Sequence, residues 1–289
     1  IYDKSTSKNT VILRLALNIL HNEIFLEKKQ SLVIGAKILI KLNEKMKALQ
    51  LFTLLNEQLT ISPRTVAAIQ KAAEKEIYIV LCSGRTENAI LPYVRLLEIA
   101  GKQTGRYLIG INGASCLDLH KRQPIHTQKL GSGILKIVHQ EASKRDLGCH
   151  VCDADTIYAD RDTDWTRKDA VMCNLNFKVV EDFDAFLESG HPKILVPAPE
   201  DKIAEFLPEL KSMLKGRAEV FTSKPFFLEV MPCGCGKGQT VLWLADYLGI
   251  KKIETMAFGD SMNDESMIRL VEYGVAMCNG REEIKDIAR

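Results

Sequence analysis

Residues 253–270 read IETMAFGDSMNDESMIRL: an apolar run that stops at a Gly-Asp turn and resumes as a mixed apolar and charged segment. The run is short and rich in apolar residues, which suits a strand buried on both faces, and the segment after the turn suits a helix. Asp260 and Asp264 lie four positions apart across that turn, with Asn263 beside them and Gly259 letting the chain fold tightly. Carboxylates and an amide grouped in this way offer hard oxygen ligands of the kind magnesium takes.

The same syntax occurs near the other end of the chain. ISPRTVAAIQKAAEKE, 61–76, places Ser62 as a helix cap and Pro63 at the first helical position, with Val66, Ile69 and Ala73 on one face. IYIVLCSGR, 77–85, then reads as a buried parallel strand that delivers Ser83 to a turn. TVLWLADYLGI, 240–250, reads as a helix ending at Gly249. These are βα units of a doubly wound parallel sheet. Ligands of such sheets sit outside the carboxyl ends of the strands, so Ser83 and Asp260 are expected on one rim. Between about 125 and 230 the rhythm shortens and Pro and Gly multiply, as in HPKILVPAPED and TSKPFFLEVMP, which points to an inserted α+β domain. The expected organisation is therefore a core of 45–124 plus 231–289, a cap of 125–230, and a motif-free extension over 1–44.

Composition narrows the partners. With 289 residues, 46% hydrophobic and 26% charged, the chain can bury two cores. Its 39 basic and 37 acidic residues are interspersed, which gives no reason to expect a nucleic-acid or membrane-surface partner. The apolar stretches TVILRLALNIL and SLVIGAKILI are too short to span a bilayer and carry Arg14 and Lys37. The eight cysteines are expected as free thiols in a reducing, cytoplasmic setting. The first residue is Ile1 and the end REEIKDIAR carries no helix stop, so a fragment at both ends is expected, with Met46 as a natural start.

Three other motifs carry weaker signals. PCGCGKGQT, 232–240, is no P-loop, because Met231 and Gly238 occupy the places of an essential Gly and of the magnesium-binding Ser or Thr. It leaves Lys237 in a Gly-rich turn before a helix, where an ammonium can meet a phosphate or a carboxylate. CHVC, 149–152, has the spacing of half a zinc site, but no second CxxC pair accompanies it, so free thiols on a strand are expected. The acidic run Asp153, Asp155, Asp160, Asp162 and Asp164 lacks the Gly and terminal Glu of a calcium loop and reads as a solvated strand and turn.

Taken in order and spacing, LCSGR, INGA, MPCGCGKGQTV and GDSMNDESM resemble the haloacid-dehalogenase superfamily of phosphohydrolases, in particular its Cof-like branch (subfamily IIB) with a large α+β cap of type C2B. The resemblance covers about residues 46–289. It implies hydrolysis of small phosphorylated metabolites such as sugar phosphates, with Mg2+ as cofactor, through an aspartyl-phosphate. By the same resemblance Ser83 hydrogen-bonds the phosphoryl oxygens and Lys237 neutralises phosphate and nucleophile. Asp260 ligates magnesium, and Asp264 supports that metal or the lysine. Asn263 is a further site contact, Asn112 faces the substrate, and Thr53, Gly84 and Arg85 complete the substrate-binding set.

The family's nucleophile lies in an Asp-x-Asp-Gly-Thr stretch that closes the first strand. The corresponding region here is MKALQLFTLLNEQLTIS, 46–62, and aligning on Thr53 puts Leu49 and Leu51 where the aspartates belong and Phe52 in place of the Gly. Loss of a covalent nucleophile and its acid partner removes most of a rate enhancement that spans roughly 8–23 kcal/mol. The expectation is an impaired or inactive phosphatase with a weakened magnesium site. The alternatives are a non-catalytic phospho-ligand binder or the product of a truncated or rearranged gene.

Overall fold

The computed structural model describes residues 47–51 as backbone, and residues 60–98, 105–153 and 155–288 with their side chains. Thr53, Phe52 and the extension expected over 1–44 lie outside the described residues.

The core sheet starts with β1 (Lys47–Leu51), β2 (Ile77–Cys82) and β3 (Arg106–Gly110), all parallel, and continues through the antiparallel strands β4 (Ser115–Asp118) and β5 (Gln123–Thr127). α1 (Pro63–Glu74) starts where expected: the Ser62 hydroxyl accepts the Thr65 N–H at 3.1 Å and Pro63 opens the helix. α2 (Glu87–Leu96) follows the turn after β2. Alternation along β2 divides its side chains between two layers. Ile77, Ile79 and Leu81 pack with Ile69 of α1 and Ile90 and Val94 of α2, whereas Val80 and Cys82 pack with residues of a helix from the far end of the chain. Helices thus cover both faces, as a parallel sheet requires.

Residues 132–232 build a second sheet. Its elements in chain order are α3 (Ser132–Ser143), β6 (His150–Cys152), β7 (Thr156–Ala159), α4 (Asp164–Cys173), β8 (Asn176–Val179), α5 (Phe183–Phe186), β9 (Ile194–Pro197), α6 (Glu200–Met213), β10 (Ala218–Lys224) and β11 (Phe227–Pro232). The strand order is β10-β11-β9-β6-β7-β8, mostly antiparallel. Val151, Ile194, Val196, Leu228 and Val230 face α3 and α6 in one apolar core. The opposite face carries a buried polar group: Lys193 bonds Glu229 at 3.1 Å, and Asp169 of α4 meets His150 at 3.3 Å.

The chain returns to the core with α7 (Lys237–Tyr247), β12 (Met256–Gly259), α8 (Glu265–Leu270), β13 (Tyr273–Ala276) and α9 (Glu282–Ile287). β12 and β13 pair in parallel, and β12 runs alongside β1, which sets the carboxyl ends of β12, β1 and β2 on one rim. The strand expected from Ile253 starts only at Met256, because Lys252–Glu254 form a helical turn in which Glu254 accepts the Lys251 N–H at 2.8 Å. α8 is also shorter than its sequence pattern: Val271 is extended and fully buried, and β13 begins two residues later. None of the eight cysteines is in a disulfide, and no helix among the described residues is long and apolar enough to cross a membrane.

Burial alone would raise the Asp169 carboxyl, but the His150 hydrogen bond and the Lys193 charge overcome it and hold the group well below its ordinary value. A carboxylate depressed in the folded state stabilises above its unfolded pKa and loses that contribution as pH falls. Between pH 5 and pH 3 the wild type is therefore expected to lose about 1 kcal/mol more unfolding free energy than Asp169→Asn. Urea midpoints across that range check it, and parallel curves for the two proteins would contradict it.

Candidate active site

Two turns at the rim are laced to each other. After β2 the Ser83 N–H bonds the Ile109 carbonyl at 2.8 Å, and Ser83 Oγ accepts the Arg85 N–H at 3.1 Å. A serine that accepts from a backbone N–H still has its own O–H to donate. After β3 the Asn112 N–H bonds the Ser83 carbonyl at 2.9 Å, and the Ile111 N–H bonds the Arg85 carbonyl at 2.9 Å. Ile111 and Asn112 hold φ of 49° and 51°. For β-branched Ile111 that conformation is strained by about 1–3 kcal/mol, a cost that persists only where surrounding contacts over-determine it. Here those contacts are the two backbone bonds to the Ser83–Arg85 turn.

The third turn follows β12. Asn263 Nδ2 donates to Asn112 Oδ1 at 3.3 Å, and Ser261 Oγ donates to Asn263 Oδ1 at 2.9 Å. Gly84 stands against the same amide, since a Cβ there would come within 2.8 Å of Asn112 Oδ1. Ser83, Gly84, Arg85, Asn112 and Asn263, which the sequence places in three separate motifs, are thus gathered by these contacts. The Arg85 charge acts to lower the Cys173 thiol of α4, although burial dominates and pushes that thiol up to about 12.

Beneath the rim lies an ion pair. Lys237 Nζ donates to Asp264 Oδ1 at 2.8 Å, and both side chains are 0% exposed. The other oxygen, Asp264 Oδ2, accepts the Asp260 N–H at 3.1 Å and the Ser261 N–H at 3.2 Å. One carboxylate therefore fixes both the lysine at the start of α7 and the backbone that carries Asp260. Asp260 is itself half-buried at the end of β12, and its carbonyl accepts the Arg281 N–H at 2.9 Å. α7 is locked in turn: Thr240 Oγ1 donates to the Gly113 carbonyl at 2.7 Å, and the Gly238 N–H donates to Ser266 Oγ at 3.1 Å. A Cβ on Gly238 would meet the Ser266 backbone at 2.5 Å, so α7 and α8 approach at a distance only glycine permits.

Thr240 and Ser266 were not legible as parts of the site. A lone hydroxyl inside a helical pattern has no signal that distinguishes it from a surface residue. Thr53 lies outside the described residues, and of Leu49 and Leu51 only the backbone is described: they pair in parallel register with Ile79 and Leu81, so β1 ends beside the turn of Ser83.

Comparison with known proteins agrees with this arrangement. The profile of the haloacid dehalogenase-like hydrolases matches residues 53–289. The chain belongs to that family. It is 28% identical over 246 residues to an HMP-PP phosphatase of Serratia proteamaculans, an alignment that covers 81% of this chain and 84% of that protein. It is 32% identical over 238 residues to a putative phosphatase of Haemophilus influenzae, which covers 82% and 87% of the two chains. The crystal structure of a haloacid dehalogenase-like hydrolase from Bacteroides thetaiotaomicron superposes with a TM-score of 0.76 at 27% identity and covers 85% of this chain and 92% of that one.

Removing one partner of a buried ion pair leaves the other charge uncompensated. Asp264→Leu alone and Lys237→Met alone are each expected to cost about 3–5 kcal/mol of stability, whereas the two together are expected to cost less than either single change. Chemical denaturation of the four proteins checks this, and additive losses would contradict it.

Proposed function

We propose that this chain carries the phosphate-binding pocket of a haloacid-dehalogenase phosphatase for small phosphorylated metabolites, and that its aspartyl-phosphate chemistry is impaired. The observation that carries the first half is the rim: Ser83, Asn112 and Asn263 are gathered above a buried lysine, in a family whose relatives include an HMP-PP phosphatase. In this reading the core is 45–124 plus 231–289 and the cap is 125–230, with Arg85 assigned to the substrate-binding set on the family resemblance. Ser83 donates its hydroxyl proton to a phosphoryl oxygen. Asn112 and Asn263, fixed by each other, orient the polar part of the ligand, with Gly84 leaving room for it. Lys237 acts from below the pocket floor as a fixed positive charge, which phosphoryl transfer needs more than it needs covalent chemistry. Thr53 is assigned to the same pocket on the family resemblance alone.

The second half rests on the sequence of β1. Leu49 and Leu51 stand where the family places its two aspartates, and the family match begins only at residue 53. The residues present fit magnesium only in part. Asp260 is one hard oxygen ligand at the rim, but Asp264 spends both oxygens on Lys237 and on the turn backbone, so of its two expected roles the contacts favour holding the lysine. Magnesium in such pockets neutralises phosphoryl charge; with Asp260 as the single carboxylate offered to it among the described residues it is expected to bind weakly, and no step here is routed through it. A small phosphate ester held without turnover is the binding-module reading, and an altered gene start would leave the same pocket.

Hydrolysis of a generic aryl phosphate, with and without Mg2+ and with Asp260→Ala purified in parallel, tests the proposal. Equal background from both proteins is expected. Inorganic phosphate at a hundred times its Kd should still stabilise the wild type by about 2.7 kcal/mol, and less in Ser83→Ala. Turnover that needs both Mg2+ and Asp260 would overturn the impaired reading, and no stabilisation by phosphate would overturn the pocket.

A further inference from the structure

The CHVC segment does not act as a pair. Cys149 packs in the apolar core under α3 and α6, whereas Cys152 packs on the opposite face of the sheet with Ile157 and Ala170. Strand alternation sends residues three apart to opposite sides, so no ion can touch both thiols. Cys149 instead meets two residues that are distant in sequence: His139 on α3 and Asp160 at the end of β7. One ligand atom from each of the three lies within 4.8 Å of the others.

The geometry around His139 is that of an imidazole prepared for a cation. Its Nδ1 lies 2.8 Å from Asp184 Oδ1, a hydrogen bond that places the ring proton on Nδ1 when the imidazole is neutral. The lone pair is then on Nε2, and Nε2 faces Asp160 Oδ2 at 3.6 Å. A lone pair set against a carboxylate oxygen is repulsive unless a positive charge sits between them, either the Nε2 proton of the charged imidazole or a metal ion in its place. Zinc bonds of about 2.0–2.2 Å to nitrogen and oxygen at tetrahedral angles separate those two ligand atoms by about 3.3–3.5 Å, so the His139–Asp160 pair at 3.6 Å needs only a small closure to hold an ion. A carboxylate behind a histidine is also the usual outer partner of a metal-bound imidazole. Asp160 is held in place by the Cys149 N–H at 2.9 Å on Oδ1 and by Arg161 Nε at 3.1 Å on Oδ2.

We propose that His139, Cys149 and Asp160 form a site in the cap for a thiophilic divalent ion of the zinc class, with Asp184 as the outer partner that orients the histidine. The site is independent of the phosphate pocket. A thiolate and a carboxylate balance the two positive charges of the ion, and water takes the fourth position. Binding releases the thiol proton of Cys149 to solvent, and that of His139 as well when the ring is charged. Both protons are firmly held in the metal-free protein: burial pushes the Cys149 thiol up, and the Asp160 carboxylate, with Asp184, raises the His139 imidazole against the opposing effect of burial. The Arg161 guanidinium shares Asp160 Oδ2 and lowers the affinity without blocking the oxygen, which has a second lone pair. Inserted between α3, β6 and β7, the ion would tie the helix to the sheet.

Cobalt is the probe, because a cobalt–thiolate bond produces a near-ultraviolet charge-transfer band. The metal-free full chain, with the exposed Cys233 and Cys278 replaced by serine, is titrated with Co2+ and then with Zn2+. One equivalent of cobalt is expected to develop the band and zinc to abolish it. Cys149→Ala, folded by circular dichroism, should lose the band, Asp260→Ala should keep it, and Asp184→Asn should weaken binding about 10–100-fold. A stoichiometric band that survives in folded Cys149→Ala, or no band in the parent protein, overturns the site.

Discussion

The arrangement depends on one buried ion pair. Lys237 and Asp264 are both 0% exposed and 2.8 Å apart, and each fixes a different turn. A charge enclosed in this way must be paired and hydrogen-bonded, so the start of α7 and the turn after β12 cannot move independently. Asp264 Oδ2 extends the constraint by bonding the backbone of Asp260 and Ser261, and Ser261 passes it through Asn263 to Asn112. Asn112 is bonded to the turn of Ser83, so the three turns of the rim are positioned by a chain of contacts that starts from one lysine.

The sheet makes this economical in sequence. Because β1, β2 and β3 run parallel and the turn after β12 is bonded to the turn after β3, these turns fall on the same rim, and a few residues at each suffice to build the candidate site. That rim was readable from the sequence because its strands are continuous apolar runs with sharp ends at Ser83 and Asp260, and because Ser62 and Pro63 mark the start of α1. Other features were not readable. β13, Tyr273–Ala276, is short, only partly buried and interrupted by Gly274, which is glycine because a Cβ there would strike the Ile268 carbonyl. The strand expected at Ile253 lost its first residues to a cap by Glu254, a local hydrogen bond that hydrophobic patterning cannot anticipate. The Thr240–Gly113 bond joins residues that only the folded sheet brings together.

The cap illustrates the same limit. CHVC attracts attention by its spacing, yet its two thiols face different layers, and the partners of Cys149 come from a helix and a second strand. Spacing within one segment reports on ligands only when the segment's geometry keeps them on one side. In the core the informative signal is of the opposite kind: the order of motifs along the chain identifies the family.

The central claim is that a family phosphate pocket persists here beside a first strand that offers no attacking carboxylate. Trapping a phosphoenzyme addresses it most directly. The full chain is incubated with acetyl phosphate and Mg2+, quenched in acid, and measured as intact protein by mass spectrometry, with peptide mapping of any adduct. The account predicts no acid-stable acyl-phosphate adduct. A stoichiometric phosphoryl adduct on any carboxylate of this chain would contradict it and would identify the nucleophile that Leu49 and Leu51 cannot be.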